Sequence, residues 1–157
     1  LSLFYMKKGM ITEAEDEKTA ATMATFRKAA NDRQDRIAEK KVLQQKSIET
    51  KKRMGMFEQV LEIDADDLVA NFGLGKSYVD LNEADKAIPF LEKCLVVKKD
   101  YTVAYLQLGL AYQQSDLQAQ AIDIFKRGII CATEKGDLMP KSEMERQLAR
   151  LEGSGPG

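Results

Sequence analysis

The pattern of apolar and polar positions in this chain returns on itself after 34 residues. Leu74-Gly75-x-x-Tyr78 recurs as Leu108-Gly109-x-x-Tyr112, Ala87 as Ala121, Leu91 as Phe125, Leu95 as Ile129, and Val97 as Cys131. A fixed period of this length marks stacked helical hairpins, each too small to bury its own apolar face. Such arrays present a curved surface to another protein and rarely do chemistry. Each unit has a first helix carrying the Leu-Gly-x-x-Tyr cluster, a turn near Leu81-Asn82 or Ser115-Asp116, and a second helix. The second helices carry Ala87, Leu91 and Cys94, or Ala121, Phe125 and Gly128. Small residues belong where helix axes cross closely, which is the place predicted for Gly75, Gly109, Ala87, Ala121 and Gly128, with Tyr78, Tyr112, Leu91 and Phe125 filling the gaps between them.

The period, the Leu-Gly-x-x-Tyr cluster and the later Ala-x-x-x-aromatic/Leu pair resemble the tetratricopeptide repeat. The resemblance implies an all-α fold, an α-solenoid of helical hairpins, here with a long N-terminal helical extension and a C-terminal capping helix. It divides the chain into a tail and long charged helix (1–51), the second helix of a partial repeat (52–67), two full units (68–101 and 102–135), a capping helix (136–152) and a flexible end (153–157). Phe57-x-x-Val60-Leu61-x-Ile63 matches Leu91-x-x-Cys94-Leu95-x-Val97, so an upstream second helix is expected. Its first helix is not, because Lys40, Lys41 and Gln44 stand where Leu74, Gly75 and Tyr78 would lead one to expect apolar and small residues. Other departures are Ala65 and Lys99 in place of a closing proline, and Pro89 inside a second helix, where it removes a backbone donor and should kink or loosen the turn.

Residues 12–50 are rich in strong helix formers without Pro or Gly, which predicts one long helix or two with a bend. Thr12 and Glu15 have the spacing of a capping box, and Glu13, Glu15, Asp16 and Glu17 would then sit in the first turns. Met23, Phe26, Ala30 and Ile37 make a broken apolar stripe, interrupted at Arg33, Lys40 and Gln44, and it reads as a docking edge rather than a zipper. At the far end, Gly136-Asp137 breaks the chain, Pro140 suits a first helical turn, and Leu138, Met144, Leu148 and Leu151 give the half-polar helix that caps a repeat array. The opening Leu1-Ser2-Leu3-Phe4-Tyr5-Met6-Lys7-Lys8 reads as a disordered tail or a docking strip, with the end of a cut membrane anchor as the alternative.

Composition narrows the functions. The chain of 157 residues is 44% hydrophobic, enough for a core, and its net charge of −1 gives no field toward nucleic acid or anionic lipid. The basic run of Lys40, Lys41, Lys46, Lys51, Lys52 and Arg53 lacks interleaved aromatics and reads as a solvated face. There is no histidine, the commonest general base and metal ligand. The two cysteines, Cys94 and Cys131, fall on apolar positions and read as buried free thiols, compatible with a cytoplasmic setting. No phosphate loop, metal constellation or paired nucleophile and base is visible, so neither catalysis nor a cofactor is expected.

In this architecture the first helices line the concave side. The predicted groove is Val69, Phe72, Lys76 and Val79 from one unit, and Val103, Leu106, Leu110 and Gln113 from the next. So apolar a wall calls for a cover. A buried Leu or Phe is worth roughly 1.5–3 kcal/mol, and three or four such anchors support a micromolar helix-in-groove complex after association costs. The expected partner is an apolar or amphipathic segment of another protein. The alternative is the chain's own N-terminal helix, within one copy or between two. With Phe72, Leu106 and Leu110 in the wall and Lys76 nearly alone, the basic carboxylate clamp of the chaperone-tail-binding repeats is not expected.

Overall fold

The computed structural model describes residues 2–153, with side chains from residue 7 onward. Among them are helices α1 (Ser2–Ile63), α2 (Leu68–Asp80), α3 (Ala84–Val97), α4 (Thr102–Gln114), α5 (Gln118–Lys135) and α6 (Leu138–Gly153). The chain divides into two compact units, Leu1–Lys46 and Ser47–Gly157.

In the first unit every side chain from residue 7 to residue 46 is exposed. The helix there is held by propensity, not by a core. Thr12 does not cap it: its hydroxyl donates to the carbonyl of Gly9 at 2.8 Å, inside a helix that already runs from Ser2. The expected capping box and tail are thus replaced by helix, and the acids at 13–17 lie beyond the first turn. Thr19 and Thr22 also return their hydroxyls to carbonyls four residues back, at 2.8 Å each, which satisfies a threonine without a cap. The helix continues unbroken through residues 51 and 52, where the sequence suggests a boundary. The glycine-rich end lies outside the described residues after Gly153.

The second unit begins with the last turns of α1. Thr50 and Met54, one turn apart, are buried, and the ring of Phe57 covers Gly73 of α2 so closely that a Cβ there would collide with it. Asp64 to Asp67 then turn the chain. Asp67 caps α2 by accepting from the amide of Ala70 at 2.7 Å, and buried Asn71 donates through its amide to the carbonyls of Ala65 and Asp67.

The two hairpins that follow are built alike. Gly75 of α2 faces Leu91 of α3, and Gly109 of α4 faces Phe125 of α5; a Cβ at Gly75 would lie 2.5 Å from Leu91 Cγ. The turns correspond too. Asn82 and Asp116 both adopt φ of 58°, a left-handed conformation that short polar side chains tolerate. In each, the following amide reaches five residues back, Glu83 to Tyr78 and Leu117 to Tyr112, both at 2.8 Å, which closes the helix end. Gly136, with φ of 75°, ends α5 in the same manner. Helix α3 passes through Pro89 as one helix.

Packing is tighter on one side of the array than on the other. Helix α2 packs on α4, and α4 on α6, whereas the backbones of α3 and α5 do not come into contact. The first helices therefore form a close inner layer and the second helices splay apart outside it. Side chains of Leu74, Leu91, Cys94, Phe125 and Met144 fill the space between the layers and are fully buried. Met144 places α6 against Gly128 and Tyr105, so α6 covers the last hairpin as a cap should.

Polar staples at about one repeat's distance tie the units in series. The Thr102 hydroxyl donates to Asp137 Oδ2 at 2.6 Å, the Gln114 side-chain amide to the carbonyl of Val79 at 3.2 Å, and Lys135 Nζ to the carbonyl of Asp100 at 2.8 Å. Ser115 reaches Asp85 across the two turns at 2.6 Å.

Candidate functional site

Positions 69, 72, 76 and 79 of α2 and 103, 106, 110 and 113 of α4 fall on one stripe of each helix by the 3.6-residue period, and the two helices are neighbours in the inner layer. The structure grades their accessibility. Val69 and Lys76 are exposed; Phe72, Val103, Leu106, Leu110 and Gln113 are half-buried. Val79 is buried at 5% exposure and belongs to the core rather than to the groove. It shares that core cluster with Ala84 and Ala87 of its own hairpin, and its carbonyl accepts from the Gln114 side-chain amide of the next repeat at 3.2 Å. Phe72, Leu106 and Leu110 also lean on the core with one flank, so the wall is apolar but shallow. The ring of Tyr101 meets that of Phe72 edge-on, with centroids 5.3 Å apart, and extends the apolar row.

Electrostatics leave this face without a free cation cluster. Lys76 pairs with Asp80 one turn on, at 3.0 Å. That exposed pair contributes little to stability, but it places a carboxylate beside the one lysine of the row.

On the opposite side, the splay of α3 and α5 opens a cleft of about 560 Å³. Its floor is Tyr105, Leu108 and Tyr112 of α4; its rims are Glu92, Leu95, Val96 and Lys99 on one side, and Ile124 and Arg127 on the other. The Tyr112 hydroxyl donates to Glu92 Oε1 at 2.8 Å. Burial, and then that bond, push its pKa up to about 12. The Tyr105 hydroxyl donates to the Lys99 carbonyl at 2.9 Å, and Arg127 lies over its ring at 5.9 Å. These groups tie the walls to the floor, and a phenol held neutral is no nucleophile at physiological pH. Of the tyrosines in the recurring cluster, Tyr112 lines this cleft and Tyr78 does not; both are half-buried.

The thiols are quiet. Burial pushes Cys94 up to about 11, and its Sγ faces the Leu68 carbonyl at 3.8 Å. Cys131 is half-buried and also raised by burial. Among the described residues no cluster of His, Cys, Asp or Glu could hold a metal ion, and no helix is long and apolar enough to cross a membrane.

Comparison with known proteins agrees with this geometry. A family model described as "Tetratricopeptide repeat" matches residues 68–101, the span of α2, α3 and the loop to α4. A TPR repeat-containing protein of Pseudomonas aeruginosa is 30% identical over 95 residues, which is 60% of this chain and 90% of that protein. The solution structure of a protein from Bordetella parapertussis aligns with a TM-score of 0.57 and 30% identity, covering 62% of this chain and 85% of that one. The crystal structure of a tetratricopeptide repeat domain protein from Salinibacter ruber aligns with a TM-score of 0.52 and 27% identity, covering 56% of this chain and 98% of that one.

Proposed function

The chain belongs to the tetratricopeptide repeat family, whose repeats generally mediate contacts between proteins, and we propose that its inner face is a docking groove for an apolar or amphipathic helix of another protein. Scaffolding or assembly is then its task, with no chemical step. The observation that carries this reading is the row Phe72, Val103, Leu106 and Leu110, half-buried side by side with exposed Val69 at one end. A helix laid along it would bury their outer flanks through anchors at i, i+3, i+4 and i+7. Lys76, held by Asp80, argues against an acidic tail as the ligand.

Selection from a displayed library of helical peptides tests this. Amphipathic sequences should be enriched, and their binding should fall at least tenfold with Val69→Glu and Leu106→Glu, each first shown to melt like the parent chain. Enrichment of peptides with acidic C-terminal ends, or binding indifferent to both changes, would sink the reading.

A second reading rests on Met23 and Phe26, which are 58% and 68% exposed. Here the groove takes the N-terminal helix of a neighbouring copy. It requires that Leu106→Glu abolish self-association.

A further inference from the structure

Residues 7–46 form helix with every side chain exposed. A bare helix is marginal in water, because its nucleus is costly and nothing is buried in return. Its exposed side chains nevertheless have an order. Met23, Phe26, Ala30 and Ile37 fall within about 60° of arc at 100° per residue, and Phe26 and Ile37 remain 68% and 46% exposed. An open depression of about 320 Å³ runs beside Met23 and Phe26.

Charge is ordered as well. Residues 13–17 carry Glu13, Glu15, Asp16 and Glu17 and no base; residues 40–46 carry Lys40, Lys41 and Lys46 and no acid. The two blocks are centred about 42 Å apart along the axis at 1.5 Å per residue. Asp16 precedes Met23 by two turns, and Lys40 and Lys41 follow Ile37 by one; at 100° per residue Glu15, Asp16, Lys40 and Lys41 flank the apolar stripe, whereas Glu17 and Lys46 turn away from it. The midpoint of the stripe is Ala30, and the midpoint between the two charge blocks is Ala29.

These coincident midpoints have one simple solution. We propose that residues 13–46 of α1 pair with the same segment of a second copy, antiparallel, about an axis at Ala29–Ala30. In that arrangement Met23 of one chain meets Ile37 of the other, and the partner's Lys40 and Lys41 come within about one turn of Glu15 and Asp16. The two alanines at the crossing let the axes approach. Parallel pairing would set acid against acid and lysine against lysine, which charge repulsion opposes. The contact is isologous and closes at two chains. It is independent of what the inner groove of the repeats takes.

The 157-residue chain, with Cys94 and Cys131 changed to Ala and its fold checked by circular dichroism, tests this by sedimentation and site-directed cross-linking. A dimer is expected at tens of micromolar. Ala30→Cys should cross-link to itself through a short bismaleimide. Ile37→Cys alone should not, because its two copies would lie about 21 Å apart at 1.5 Å per residue; mixed with Met23→Cys it should. Replacing Lys40, Lys41 and Lys46 by Glu should weaken the dimer at least tenfold and lower helical ellipticity, leaving the melting of the repeats unchanged. Mixing that chain with one whose acids at 13–17 are changed to Lys should restore a heterodimer. A monomer throughout, self-cross-linking at both 30 and 37, or a dimer lost with Leu106→Glu and indifferent to charge reversal would each overturn the proposal.

Discussion

Between residues 7 and 46 no side chain is buried, whereas each of α2 to α5 buries four or more. Both regions are helix by sequence, but the first depends on intrinsic propensity and the second on shape. In the first, exposed Ala, Lys, Glu and Gln can be exchanged at little cost, and a threonine can fold back on its own backbone. In the second, a glycine faces Leu91 or Phe125 and has no substitute. Helical periodicity alone does not separate the two regimes; the 34-residue recurrence does.

The contrast can be broken most directly by truncation. Leu108→Ala, at 2% exposure, should cost roughly 2–5 kcal/mol, and Gln34→Ala in the exposed helix should stay within about 0.5 kcal/mol. Denaturant unfolding of both chains measures this, and similar losses would mean that residues 7–46 share the core after all. A sharper form uses one substitution with opposite signs. A Cβ at Gly109 would strike Phe125, whereas one at Gly9 meets nothing within 4 Å. Gly109→Ala should therefore cost about 1–3 kcal/mol by overpacking, and Gly9→Ala should strengthen its helix by roughly 0.5–1 kcal/mol, read as melting temperature and as ellipticity.

Smaller effects probe the links between repeats. Thr102→Val deletes a buried hydroxyl bonded to Asp137 and should cost about 1 kcal/mol, seen as a lower urea midpoint without a change in slope. The last change is pH-linked. Tyr112 is raised from 10 to about 12 and Cys94 from 9 to about 11, so the folded chain holds both protons more tightly than the unfolded one. Their contribution is complete below the unfolded values and is lost as pH rises through the folded ones. Stability of the repeats should decline from about pH 9 toward 12, and Tyr112→Phe should flatten the upper part of that decline. A decline unchanged by Tyr112→Phe would remove the phenol from the account.

How far the sequence could be read follows the same division. Spacing located the hairpins, the turns at Asn82 and Asp116, the small residues under Leu91 and Phe125, and the cap on Met144, because a buried position constrains residue type. It placed Val79 on the groove although the side chain is buried in the core, since a helix's own period cannot show what its neighbours cover. It overlooked Gly73, because the second unit has Gln107 at that place and the recurrence is silent there. At the N-terminus the Thr12–Glu15 spacing suggested a cap where helix continues upstream. Capping chemistry does not act once a turn precedes it, and Gly9 costs only about 1 kcal/mol in a helix interior. The residues expected in the groove, other than Val79, are accessible to some degree, but accessibility identifies a face and not its occupant.

The separation of α3 from α5, with α4 as the shared floor, has a mechanical consequence. An array joined firmly along one edge and loosely along the other is a leaf spring. Force on the inner edge works against packed first helices, whereas widening of the outer edge works against the bonds of Tyr112 to Glu92 and of Tyr105 to the Lys99 carbonyl. A change in curvature would shift Glu92 and Arg127 relative to the rings of Tyr112 and Tyr105. The chain has no tryptophan, so with Tyr5, Tyr78 and Tyr101 changed to Phe the emission of Tyr105 and Tyr112 alone would report that shift.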